Sequence, residues 1–75
     1  DKFMSEILDA RGLSCPQPVL MTLEKIKQLR EGELTVQVDT QASRENVSRA
    51  VQEKGWMVRE VREENEEFHL VITRE

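Results

Sequence analysis

Apolar residues recur along this chain with two different periods, and the switches between them mark out six elements. Residues 4–8, Met-Ser-Glu-Ile-Leu, alternate imperfectly and end apolar, which predicts a short strand running into a loop over residues 9–14. From Pro16 onward Val19, Leu20, Leu23, Ile26 and Leu29 return at helical spacing, and Gly32 stands just beyond as a stop signal. A helix over 16–30 follows. Leu34, Val36 and Val38 alternate with Thr35, Gln37 and Asp39, the pattern of a strand covered on one face. After Thr40, Val47, Ala50 and Val51 share one helical face up to Lys54, where Gly55 is suited to a left-handed ending. Trp56, Met57, Val58 and Val61 precede a polar run over 63–67, and Phe68, Leu70 and Ile72 then alternate with His69, Val71 and Thr73, which predicts a closing hairpin.

The order strand, helix, strand, helix, strand, strand is that of an α+β domain. Right-handed crossovers place both helices on one sheet face when the strands progress in one direction, giving a two-layer sandwich. Thr35, Gln37, His69 and Thr73 are expected on the other face, polar enough to meet water. No repeat or linker interrupts the chain, and a monomer is expected. Met4 followed by Ser-Glu resembles a natural start, so Asp1, Lys2 and Phe3 are expected to be an added leader outside the fold.

Composition narrows the function. With 75 residues the chain has room for one thin core. Its 37% hydrophobic and 35% charged residues fit a folded module. A net charge of −4 leaves no global positive field for a phosphate backbone, and Trp56, Phe3 and Phe68 are too few to make a stacking surface, so direct nucleic-acid binding is not expected. No apolar run approaches a membrane span and no secretory signal opens the chain, so a cytoplasmic protein is expected. One cysteine and one histidine supply neither a disulfide nor a four-ligand zinc site. Met4, Met21 and Met57 read as core filler, and no metal or cofactor is assigned. The acidic hairpin (Glu60, Glu63, Glu64, Glu66, Glu67) reads as solvated surface, while Arg44 and Arg49 with Lys25 and Lys27 are candidates for a basic rim facing an acidic partner.

The chemistry concentrates in Asp9-Ala10-Arg11-Gly12-Leu13-Ser14-Cys15-Pro16-Gln17-Pro18. Pro16 suits the first helical position, since its φ is already helical and its missing N–H has no partner there, and this makes Cys15 the expected N-cap. A sulfur there faces unpaired first-turn N–H groups and the positive end of the helix dipole, both of which favour thiolate over thiol. Pro18 removes a further donor, leaving the N–H groups of Gln17 and Val19. Gly12 can supply a positive φ, and Arg11 is a candidate cation for the sulfur. An isolated cysteine is most often a small buried hydrophobe, inert for that reason, but two prolines pin the helix start at the surface and favour the reactive alternative.

Without a second cysteine the thiol cannot resolve a disulfide within the chain, and His69, on a strand's polar face, reads as solvated and not as a catalytic partner. Such a thiol must pass its cargo to another molecule. Sulfane sulfur suits it, taken from a donor as a persulfide and handed to an acceptor. Two alternatives stay open: a regulatory or nucleic-acid-binding module on the same fold, and a thiol redox sensor.

The run Leu8-Asp9-Ala10-Arg11-Gly12-Leu13-Ser14-Cys15-Pro16-Gln17-Pro18-Val19 resembles the entry motif of the TusA/SirA/YedF family of small sulfur-relay proteins, whose signature is Cys-Pro-x-Pro at the start of the first helix. Lys54-Gly55-Trp56 followed by Val58 is similar to the family's turn into its third strand. The resemblance covers nearly the whole chain. It implies one TusA-like sulfur-carrier domain over 1–75, a β-α-β-α-β-β sandwich whose four-stranded sheet is mixed, like the C-terminal domain of translation initiation factor three. It implies Cys15 as the sulfur-bearing residue, with Asp9, Arg11, Gly12, Pro16, Gln17 and Pro18 as supporting motif. The donor it implies is a cysteine desulfurase or rhodanese, and the acceptor another sulfurtransferase, DsrE-like proteins among the candidates. Such a protein is a sulfurtransferase-type carrier and not a stand-alone turnover enzyme. Family members serve tRNA thiolation, cofactor synthesis or sulfur oxidation, and YedF-like members sit beside selenium metabolism. Ser43-Arg44-Glu45-Asn46-Val47 resembles the YedF branch, and Glu24 and Lys25 stand where TusA proper is more basic. YedF-like proteins usually carry a second, DsrE-like domain, so this chain is expected to be a stand-alone relative or an excised domain.

Overall fold

The computed structural model describes residues 5–13 and 16–74. Six elements follow in the expected order: β1 (Ser5–Asp9), α1 (Gln17–Leu29), β2 (Gly32–Val38), α2 (Gln41–Glu53), β3 (Met57–Glu64) and β4 (Glu67–Arg74). The sheet order is β1-β2-β4-β3, with β1 parallel to β2 and the other two pairings antiparallel. Since β4 is antiparallel to both β2 and β3, β3 runs parallel to β2, and α2 crosses over β4 to reach it. Both crossovers progress in one direction along the sheet, so right-handed connections put α1 and α2 on one face. The fold is the α+β two-layer sandwich with a mixed four-stranded sheet. Met4, expected to begin β1, lies outside the described residues.

The helices cover the face presented by Leu34, Val36 and Val38 of β2, which stand opposite Ile72, Leu70 and Phe68 of β4. Five of these six are buried and Phe68 packs against their edge. Each buried aliphatic side chain is worth roughly 1.5–3 kcal/mol. Both helices bury a stripe at i, i+4 and i+8: Pro18, Thr22 and Ile26 in α1, and Ser43, Val47 and Val51 in α2. The hydroxyl of Thr22 donates to the Pro18 carbonyl at 2.7 Å, so a polar atom enters the core satisfied. Leu20, expected on the inner face of α1, is 58% exposed, because at 3.6 residues per turn it lies almost opposite the buried Pro18, Thr22, Ile26 stripe.

Thr40 caps α2, its side chain accepting the Ser43 N–H at 3.1 Å. The helix ends at Lys54, and Gly55 takes the expected positive φ of 89° before Trp56 buries its ring. Asn65 and Glu66 both have positive φ, the requirement of a two-residue type I′ hairpin turn between β3 and β4. Thr35, Gln37, His69 and Thr73 occupy the open sheet face as expected, since each alternates with a buried neighbour. Exposed Ile7 and Met57 and half-buried Val71 share it, so that face is less polar than expected and Met57 is not core filler. Among the described residues no helix is long and apolar enough to cross a membrane.

Candidate functional site

Helix α1 begins one residue later than its prolines imply. Pro16 is the N-cap, with ψ of 19° and a carbonyl that accepts the Leu20 N–H at 3.0 Å, and Gln17 is the first helical residue. Pro18 therefore takes the second helical position, where it is buried, while Pro16 and Gln17 are exposed. The cap role expected of Cys15 thus falls to Pro16, whose carbonyl accepts the Leu20 N–H. Among the described residues no side chain caps the helix, and no acidic residue lies in its first turn. Among the described residues nothing offsets the positive end of the helix dipole. Cys15 and Ser14 lie outside the described residues.

The loop that enters this helix is braced from three strands. Ala10 is fully buried, its N–H donating to the Gln37 carbonyl at 2.8 Å. Arg11 donates from its backbone N–H (3.1 Å) and its Nε (2.8 Å) to Asp9 Oδ1, and from a terminal nitrogen to Asp9 Oδ2 (2.8 Å). Its other terminal nitrogen donates to both oxygens of Glu67, at 3.2 and 3.1 Å. Gly12, at φ of 78°, turns its N–H onto Asp39 Oδ2 at 2.9 Å. A side chain at Gly12 would meet no atoms, so the backbone angle alone calls for glycine. The Arg11 guanidinium is engaged by two carboxylates as a brace, and its expected place beside the sulfur falls on Cys15, outside the described residues.

Asp39 and Glu67 are parts of this arrangement that no motif points to. Glu67 stands 56 residues from Arg11 and reads, in sequence, as one more charge of an acidic hairpin. The only usable signal is topological, since β2 and β4 pair with Val38 opposite Phe68, which brings the next residues of each, Asp39 and Glu67, to the same end of the sheet as the loop. His69 is half-buried, contrary to the expectation of a solvated ring: its Nε2 is shielded from water and lies 3.6 Å from Glu67 Oε1 without a hydrogen bond.

Side-chain hydrogen bonds from Arg11, then its backbone N–H, hold the Asp9 carboxyl down at about 2 against an ordinary 3.8. A lowered folded-state pKa contributes stability in full above the unfolded value, and that contribution is lost as pH falls through the folded one. The difference in melting temperature between wild type and Asp9→Asn should therefore be constant above about pH 5 and shrink between about pH 4 and pH 2, as followed by circular dichroism. A difference unchanged down to pH 2 would contradict the pairing.

Beside the helix start, Leu20 is a ridge between two depressions. One, of about 360 Å³, is lined by Leu8, Met21, Glu24, Lys25 and Gln28. The other, of about 520 Å³, has Leu23, Ile26 and Trp56 in its apolar lining, with Lys27, Lys54 and Arg74 around it and Glu24 as the one acid among the described lining residues. The basic rim expected from Arg44, Arg49, Lys25 and Lys27 does not assemble in that form. Lys25 pairs with Glu6 at 2.6 Å, and Arg44 pairs with Glu45 while its guanidinium lies 5.3 Å from the Phe68 ring centre. Lys27 is joined instead by two cations from elsewhere in the fold.

Comparison with known proteins agrees with this architecture. The family described as sulfurtransferase TusA matches residues 6–74. A protein of Methanocaldococcus jannaschii named as a candidate sulfur carrier is 38% identical over 66 residues, covering 87% of this chain and 88% of its own. The crystal structure of a SirA-like protein from Desulfitobacterium hafniense superimposes with a TM-score of 0.83 at 31% identity, covering 91% of this chain and 95% of that one.

Proposed function

The chain belongs to the TusA sulfurtransferase family, and from that premise we propose that it is a sulfur carrier which takes sulfane sulfur onto Cys15 as a persulfide and relays it to an acceptor protein. The observation that carries this reading is the start of α1: the residues following Cys15, Pro16 and Gln17, are exposed at a helix N-terminus with no acid in its first turn, and the loop before it is braced by Asp9, Arg11 and Gly12.

The donor is a protein persulfide, as formed on a cysteine desulfurase or a rhodanese. The Cys15 thiolate attacks the outer sulfur of that persulfide. A sulfur–sulfur bond forms to Cys15, the donor's own sulfur–sulfur bond breaks, and the donor leaves as a thiolate. The positive end of α1 favours the anionic sulfur before and after transfer. An acceptor thiolate, on another sulfurtransferase such as a DsrE-like protein, then attacks the outer sulfur and frees Cys15. No net oxidation occurs and no cofactor enters. The chain acts as a monomeric single-domain carrier in the cytoplasm, turning over only between partners.

Each exchange requires a docked partner whose reactive sulfur reaches the start of α1, and the groove runs from Leu20 in the first half of that helix to Lys27 in its last turn and Arg74 opposite Gly32. Three cations around an apolar lining, in a chain of net charge −4, suit an acidic partner surface carrying an apolar side chain. Reversing Lys27 and Lys54 to glutamate together should raise the KM for a desulfurase donor about tenfold, while the maximal loading rate stays within about twofold, since rim charges act mainly on encounter. Loading kinetics against donor concentration check this, and an unchanged KM would remove the groove from the docking surface. The reading as a whole is tested by the mass measurement that closes the Discussion.

A further inference from the structure

We propose that Glu67, at the head of β4, is a positioning residue for sulfur exchange, acting through Arg11 to fix the loop that leads into Cys15. This rests on the carrier reading above. Asp9 ends β1 only two residues before Arg11, so their bidentate pairing holds the loop to its own strand and not to the far side of the sheet. Among the described residues, Glu67 is the partner of the Arg11 guanidinium that belongs to a different strand, and it accepts with both oxygens. It links the motif loop to a hairpin 56 residues away in sequence. Asp39, following β2, holds the Gly12 N–H in the same way from a second direction.

On the far side the chain is fixed again, by the Pro16 carbonyl in α1 and the buried ring of Pro18. Three residues, Leu13, Ser14 and Cys15, join the braced Gly12 to that cap, and Leu13 packs against the core. Three residues give the chain between these two anchored points a short covalent reach, so displacing one anchor bears directly on Cys15. An exposed ion pair contributes little stability, so the consequence of this one lies in geometry. Exchange between two sulfurs needs the attacking atom aligned with the bond that breaks, and small misplacements of a reacting group reduce rate steeply.

The test measures sulfur loading of Cys15 from a cysteine desulfurase supplied with cysteine, in wild type, Glu67→Ala, Glu67→Gln, Arg11→Ala and the double variant Arg11→Ala with Glu67→Ala. Glu67→Ala should lower the maximal loading rate about fivefold or more with KM within about twofold. Glu67→Gln, which keeps one acceptor oxygen, should fall between it and wild type. The double variant should load no more slowly than Arg11→Ala, because Glu67 acts through Arg11. Alkylation of Cys15 by iodoacetamide, a small reagent with no fixed approach, should stay within about twofold in all of them, which separates positioning from a change in thiol ionisation. Wild-type loading in Glu67→Ala, a raised KM at unchanged maximal rate, or independent effects of the two alanines would overturn the inference and leave the carrier reading standing. A wild-type protein that takes up no sulfur would overturn both.

Discussion

Leu70→Ala will lower the melting temperature of this domain by about 15 °C or unfold it outright. Leu70 is fully buried in β4, opposite Val36 of β2 and beneath the helices. Truncating a buried leucine costs about 2–5 kcal/mol, the lost transfer energy plus that of the cavity left behind. A chain of 75 residues has a total stability of roughly 4–11 kcal/mol. One core methyl cluster is therefore a large share of what holds the sheet to its helices, and each kcal/mol shifts the midpoint of so small a domain by about 4–8 °C. Leu20→Ala, by contrast, should change the midpoint by no more than a few degrees, since Leu20 is mostly exposed. Thermal unfolding followed by circular dichroism checks the pair, and equal losses in the two variants would contradict the packing described.

Leu20 and Leu70 also show how far hydrophobic pattern carries. In β2 and β4 the period of two assigns each side chain to a face without ambiguity, so Leu34, Val36, Leu70 and Ile72 were legible as core. In α1 the apolar residues Val19, Leu20 and Leu23 span too wide an arc for all to point inward, and sequence alone does not say which edge is left out. The sheet decides, by seating Pro18, Thr22 and Ile26, and two of those three are residue types that pattern reading passes over. The same limit displaced the helix start by one residue. Pro16 and Pro18 both suit a first turn, and the choice of cap rests on which carbonyl Leu20 reaches.

The site was legible in its local half. Asp9, Arg11, Gly12 and the two prolines stand together in the chain, and a positive φ at Gly12 follows from its residue type. Asp39 and Glu67 were not legible, because their role comes from strand pairing that brings distant residues to one end of the sheet. Charge reading missed the bracing role of Arg11 for the same reason, since one of its two carboxylate partners, Glu67, stands 56 residues away.

Replacing Cys15 by serine will abolish sulfur uptake altogether. Serine is close to cysteine in size but forms no persulfide, and with one cysteine in the chain no other side chain is able to take over. The loss should be complete, unlike the graded effects expected at Lys27, Lys54 or Glu67, because the proposed function gives those residues recruiting or orienting roles and gives the cargo to Cys15. A retained melting temperature in Cys15→Ser would tie the loss to chemistry and not to folding. Intact-mass spectrometry after incubation with a cysteine desulfurase and cysteine reads the central claim directly. The account predicts that wild type gains the mass of one sulfur atom, reversible by a thiol reductant, and that Cys15→Ser gains none. A wild-type mass that stays unchanged, or a serine variant that gains the same sulfur, would contradict it.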